Sequence, residues 1–143
     1  MARASYRKDN EHFRYTNANP KNSKSSGDCV VRAISLATGL PWDKVYTELC
    51  NIGFKLKSMP NDDKTYEKYL ESMGWEKQRQ PRKHDNTKYL AKELAEMSSQ
   101  GNGITAVIRV ANHLSVVSNG FILDTWDCGY KTVGNFWIYK GGQ

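Results

Sequence analysis

The chain has 143 residues, with 21 Lys and Arg against 15 Asp and Glu, for a net charge of +6. That is the size of one ordinary domain, read here as residues 1–143 with 1–11 loose, and it is long enough to bury a sizeable core. No run of about 18 apolar residues occurs, so no membrane-spanning helix is expected. The basic stretch Met1–Lys8 lacks the apolar segment of a secretory signal. Cys29, Cys50 and Cys128 form an odd set without C-x-x-C spacing. That argues against a disulfide framework and a zinc finger, and it suits a reducing compartment such as the cytoplasm. The positive excess sits mainly in residues 1–24 and 77–92; it fits an acidic partner, or serves solubility alone.

In chain order, His12-Phe13-Arg14-Tyr15-Thr16 alternates and reads as a short edge strand. Asn17 to Gly27 is rich in Asn, Ser, Lys, Pro and Gly, a loop that feeds a helix beginning at Cys29. In that helix Val30, Ala33, Ile34 and Ala37 form the i, i+3, i+4, i+7 apolar stripe. Asp28 is a good N-cap type and Gly39 a good C-terminal glycine. Pro41 opens a second helix with the stripe Trp42, Val45, Tyr46 and Leu49, stopped by Gly53. Residues 54–60 connect to a third helix, from Asn61 or Asp62 to Met73, with Tyr66, Tyr69, Leu70 and Met73 inward. Glu76 to Asp85 reads as a basic loop. Asn86 is expected to cap a fourth helix through Ser99, with Leu90, Leu94 and Met97 inward.

The texture then switches to period two. Ile104–Val110, His113–Ser118, Phe121–Trp126 and Asn135–Lys140 read as strands. Helices followed by antiparallel strands predict an α+β domain, with N-terminal helices packed on a C-terminal antiparallel sheet.

Ser118-Asn119-Gly120-Phe121 calls for a two-residue type I′ hairpin. The register then sets Val117 opposite Ile122, Ser115 opposite Asp124 and His113 opposite Trp126, and it puts His113 and Asp124 on one face as diagonal neighbours. Asp127 would fall on the other face, so Asp124 is the preferred partner of His113. A carboxylate beside a histidine fixes its tautomer and stabilises the imidazolium. A cysteine in the first turn of a helix ionises readily, because the unpaired N–H groups and the dipole favour an anion. Beside an imidazole such a thiolate attacks carbonyl carbon. Asp28 and Trp126 are the candidate substrate-binding residues; Trp126 would also shield His113 from water.

The segments Gly27–Ile34, His113–Gly120 and Ile122–Asp127 resemble those of the papain-like cysteine peptidase superfamily. They are most similar to the small bacterial and phage-borne members related to the C39-like peptidases. The resemblance covers about a third of the chain. It implies a papain-like fold, a Cys-His-Asp triad of Cys29, His113 and Asp124, hydrolysis of a peptide or related amide bond, and no cofactor or metal. It also implies a setting in the cytoplasm of a bacterium or of a phage-infected host cell. The family's oxyanion-hole Gln, about six residues before the cysteine, is replaced by Ser23. Asn22 and Asn19 are the nearest amides and are the oxyanion-hole candidates beside the Cys29 N–H.

Two other classes of function compete. One is a non-catalytic interaction module on the same fold. The other is a basic nucleic-acid-binding protein using Lys77, Arg79, Arg82, Lys83, Lys88 and Lys92, with Trp75 and Tyr89 at the ends of that cluster. No RNP, KH or zinc-knuckle pattern accompanies it. His12 and His84 read as surface histidines, Cys50 as a core thiol, Cys128 as a loop residue near the site, and Arg32 as a surface or salt-bridged residue.

Overall fold

Residues 9–22 and 27–141 are described in the computed structural model. Residues 1–8 of the stretch expected to be loose, and 23–26 of the loop before Cys29, lie outside the described residues. Residues 9–11 are tied down instead: Asp9 accepts from Tyr15 N–H at 2.8 Å, and Asn10 donates to Asp127 at 3.0 Å.

The elements are β1 (Phe13–Tyr15), α1 (Cys29–Thr38), α2 (Trp42–Leu56), α3 (Asp63–Ser72), β2 (Trp75–Gln78), α4 (Ala91–Met97), β3 (Thr105–Val110), β4 (His113–Ser118), β5 (Phe121–Asp124) and β6 (Val133–Tyr139). The strands form one six-stranded sheet in the order β1-β5-β4-β3-β6-β2. The class is α+β, but two expectations are corrected. β1 pairs with β5 in parallel, so the sheet is mixed. It also draws strands from both halves of the chain, because residues 75–78 are a strand against β6 rather than part of a basic loop. Trp75 explains that pairing: it is buried, and its ring lies 5.7 Å from that of Tyr139 opposite.

Side-chain alternation divides the core between the two faces of the sheet. On one face Val30, Val31, Ala33 and Ile34 of α1, Val45 and Leu49 of α2, and Tyr66, Tyr69 and Leu70 of α3 pack on Val107, Leu114 and Trp137. On the other, Ala91, Leu94 and Ala95 of α4 pack on Ala106, Ile108, Val117, Ile122, Val133 and Phe13. The helices therefore cover both faces of the sheet.

Helix ends differ from expectation for local reasons. Gly39 does close α1, in the left-handed region at φ 80° with its N–H on Ser35 O. Gly53 does not close α2, which runs on to Leu56 and ends at Lys57. A Cβ at Gly53 would lie 2.5 Å from Ser58 O, so this glycine lets the returning chain cross the helix. Asn86 does not cap α4: it sits at φ 71° in the turn between Lys83 and Thr87. The N-cap of α4 is Leu90, whose N–H is accepted by Glu93, while Ala91 and Lys92 N–H go to Lys131 and Gly129 O. Met97 lies 41% exposed at its end, not inward. No described helix is long and apolar enough to cross a membrane.

Candidate active site

Cys29 is the first residue of α1, which packs against β4 more than against any other strand. The α1 ladder opens with Arg32 N–H donating to Asp28 O at 2.9 Å. The N–H groups of Cys29, Val30 and Val31 lie outside that ladder. Asp28 does not cap them with its side chain, contrary to the expected N-cap role. Its carboxylate faces elsewhere: Oδ1 accepts from Arg32 Nε, and Oδ2 accepts from Asn19 Nδ2 and Trp42 Nε1, each at 2.9 Å.

His113 begins β4 and Asp124 ends β5. Asn119 and Gly120 between the strands have φ 49° and 98°, both positive as a type I′ turn requires. Val117 pairs with Ile122 and Ser118 with Phe121, the expected register. That register brings His113 Nε2 to 2.6 Å from Asp124 Oδ2. Ser115 Oγ donates to the same oxygen at 2.6 Å, and Thr125 N–H donates to Oδ1 at 2.7 Å. With Nε2 engaged, Nδ1 is the imidazole nitrogen left for the Cys29 thiol, which His113 faces. Asp124 is 4% exposed, so its four donors rather than water solvate it. The Trp126 ring stands edge-to-face on His113 at 5.0 Å and is itself 42% exposed.

Charge follows from this packing. Burial pushes the Cys29 thiol up, but the hydrogen bonds from His113 and Leu114 and the charges of His113 and Arg32 outweigh it, and the thiol lies below its ordinary value. Burial lowers His113, yet Asp124 and Cys29 raise it to about 9. Burial raises Asp124, and His113, Ser115 and Thr125 bring it below the ordinary carboxylate value. All three directions favour a thiolate–imidazolium–carboxylate series at neutral pH.

The other expected residues are placed as follows. Asn19 is buried and lines a cavity of about 410 Å³ with Asp28, Val31, Trp42, Tyr46 and Pro60, its amide on Asp28 rather than on Cys29. Asn22 is exposed, with φ 55°, and Ser23 lies outside the described residues. Cys29 and His113 line a second cavity of about 300 Å³ with Asn61, Tyr66 and Arg109. Val30 and Asn61 border both cavities, and Cys29 lines the second.

Several features escaped the sequence reading. His12 is buried, not at the surface: its Nε2 lies 3.1 Å from both Asp127 oxygens. The salt-bridged reading of Arg32 holds: it bridges Asp28 and Asp124, and its i+4 spacing from Asp28 was the visible signal. Ser115 joins Asp124, while Cys128 is a loop residue near the site as expected, buried beside Asp124 with its thiol pushed up to about 12. Cys50 is half-buried, not a core thiol. In the basic cluster, Lys77 pairs with Glu67 and Lys83 with Glu93, which offsets part of its charge. Among the described residues no group of three His, Cys, Asp or Glu side chains is placed to hold a metal ion. No protein-family model, no curated protein and no solved structure matches the chain.

Proposed function

We propose that the chain is a cysteine-nucleophile hydrolase of papain-like type that cleaves a peptide or related amide bond. The observation that carries this is the meeting of Cys29, His113 and Asp124 from three separate elements, with His113 Nε2 at 2.6 Å from Asp124 and its other face toward the thiol. Cys29 Sγ attacks the carbonyl carbon, and the oxyanion that forms is stabilised by first-turn N–H groups of α1. The tetrahedral intermediate collapses as His113 Nδ1–H protonates the leaving amine, leaving a thioester on Cys29. His113 then takes a proton from water, hydroxide attacks the thioester, and the acid departs as the thiolate returns. Asp124 holds the ring in one tautomer throughout. Isopeptide cleavage, peptidoglycan amide cleavage and acyl transfer use the same steps, with another amine in place of water in the last case.

The test is the rate of Cys29 alkylation by iodoacetamide against pH, followed by mass spectrometry, in the wild-type protein and in His113→Ala. A wild-type acid limb well below that of a free thiol, lost in His113→Ala, is the expected result. A Cys29 that titrates like a free thiol in both proteins overturns the catalytic reading and leaves an interaction module.

A further inference from the structure

The charged groups around Cys29 form a ring whose signs alternate from Asp28 through Arg32, Asp124 and His113 to Cys29, the backbone link from Cys29 to Asp28 closing it. Asp28 accepts from Arg32 Nε at 2.9 Å. Arg32 Nη1 donates to Asp124 at 3.1 Å and to Thr125 Oγ1 at 2.9 Å. Asp124 holds His113 at 2.6 Å, and His113 faces Cys29, which follows Asp28 in the chain. The Asp28, Arg32, Asp124 and His113 side chains are 8%, 11%, 4% and 18% exposed, so little water screens the ring.

We infer that Arg32 is a positioning residue for the proposed reaction: its guanidinium docks the helix carrying Cys29 onto the hairpin carrying His113 and Asp124 and sets the charge on both sides of the nucleophile. This rests on the hydrolase reading above. Two edges of one planar guanidinium serve two carboxylates on different elements, which a lysine ammonium cannot reproduce with the same geometry. A plain structural ion pair needs one carboxylate. Here the two share one cation, and the second positive charge that completes the ring is the imidazolium itself. Asn19 and Trp42 satisfy the other Asp28 oxygen and fix that carboxylate beside the nucleophile's helix. The remaining charged groups on the Cys29 cavity are Asp62, Asp63 and Arg109; Asp63 and Arg109 pair with each other at 2.9 Å.

The experiment compares iodoacetamide alkylation of Cys29 against pH in the wild-type protein, Arg32→Gln, Arg32→Lys and Asp28→Asn, with urea denaturation of each. Arg32→Gln removes a cation near the thiolate and moves the acid limb up by about half a pH unit or more, a threefold or greater loss of rate on that limb. Arg32→Lys keeps the charge without the two-edged geometry, so it returns the limb only part of the way to wild type. Asp28→Asn leaves the Arg32 charge without one of its two carboxylates and moves the limb down. Opposite shifts in Arg32→Gln and Asp28→Asn support the assignment, and if Arg32→Gln does not fold, the downward shift in Asp28→Asn decides it. Limbs that coincide in all four proteins, or shift the same way in both charge variants, overturn it and leave Arg32 a structural tie. The wild-type limb alone reports on the hydrolase reading, so a free-thiol limb there sinks that reading and not merely the role of Arg32.

Discussion

Replacing Asp124 with Asn tests the carboxylate at the centre of the site. The side chain keeps its volume and retains one acceptor oxygen, but the negative charge goes. His113 is raised from 6.5 to about 9, with Asp124 ahead of Cys29 among the groups that raise it. That rise corresponds to roughly 3 kcal/mol in favour of the imidazolium. In Asp124→Asn most of it should vanish, leaving burial to push the ring down, so His113 should titrate more than about 1 pH unit below the wild type. The assay is the NMR titration of the His113 ring proton. Stability should follow by linkage. A histidine with a raised native pKa stabilises the fold fully below 6.5 and loses that contribution as pH rises through about 9. The Asp124 carboxylate contributes above its ordinary pKa and is lost as pH falls through its lowered native value. The difference in urea-unfolding free energy between wild type and Asp124→Asn should therefore be widest between about pH 4 and 6.5 and should narrow as pH rises through 9. A His113 that still titrates near 9 in the variant refutes the account of how the imidazolium is held.

Further outcomes follow from neighbouring contacts. Trp126→Ala removes an edge-to-face contact with His113 worth about 0.5–1.5 kcal/mol, and urea unfolding should read a loss of that size. In the native protein iodoacetamide should modify Cys29 and spare Cys128, whose buried thiol titrates at about 12; peptide mapping after brief exposure at pH 7 checks this. Gly129→Ala places a Cβ 2.5 Å from His12 Nε2 and 2.9 Å from Asp127, so it should separate that pair and cost about 1–3 kcal/mol in urea unfolding. Ser115→Ala removes a donor to a buried carboxylate and should cost about 1–3 kcal/mol, a shift that chemical denaturation resolves.

The hairpin was legible because its signal is local. Asn119-Gly120 demands positive φ at two successive residues, and that single requirement fixes the register which brings Asp124 to His113. The start of α1 was legible for the same kind of reason, from its apolar stripe and Gly39. The meeting of α1 with the hairpin was not, since no local pattern states which helix covers which strand. β2 was hidden because Glu76 and Lys77 are exposed and only Trp75 marks a sheet position. Gly53 misled because a helix-ending glycine and one that admits a crossing chain look alike in sequence. His12 was hidden because its partner Asp127 is 115 positions away.

The order of strands has a consequence for synthesis. β1 is translated early, but the strand it pairs with, β5, is made roughly 110 residues later. Likewise Cys29 leaves the ribosome about eighty residues ahead of His113, an interval of roughly 4–16 s at ordinary elongation rates. The contacts that complete the site are thus among the least local in the fold, and such contacts form slowly. A half-made chain carries Cys29 without His113. The Cys29–His113–Asp124 cluster forms only after β5 has slotted between β4 and β1, so the topology itself makes the assembly of this cluster a late event.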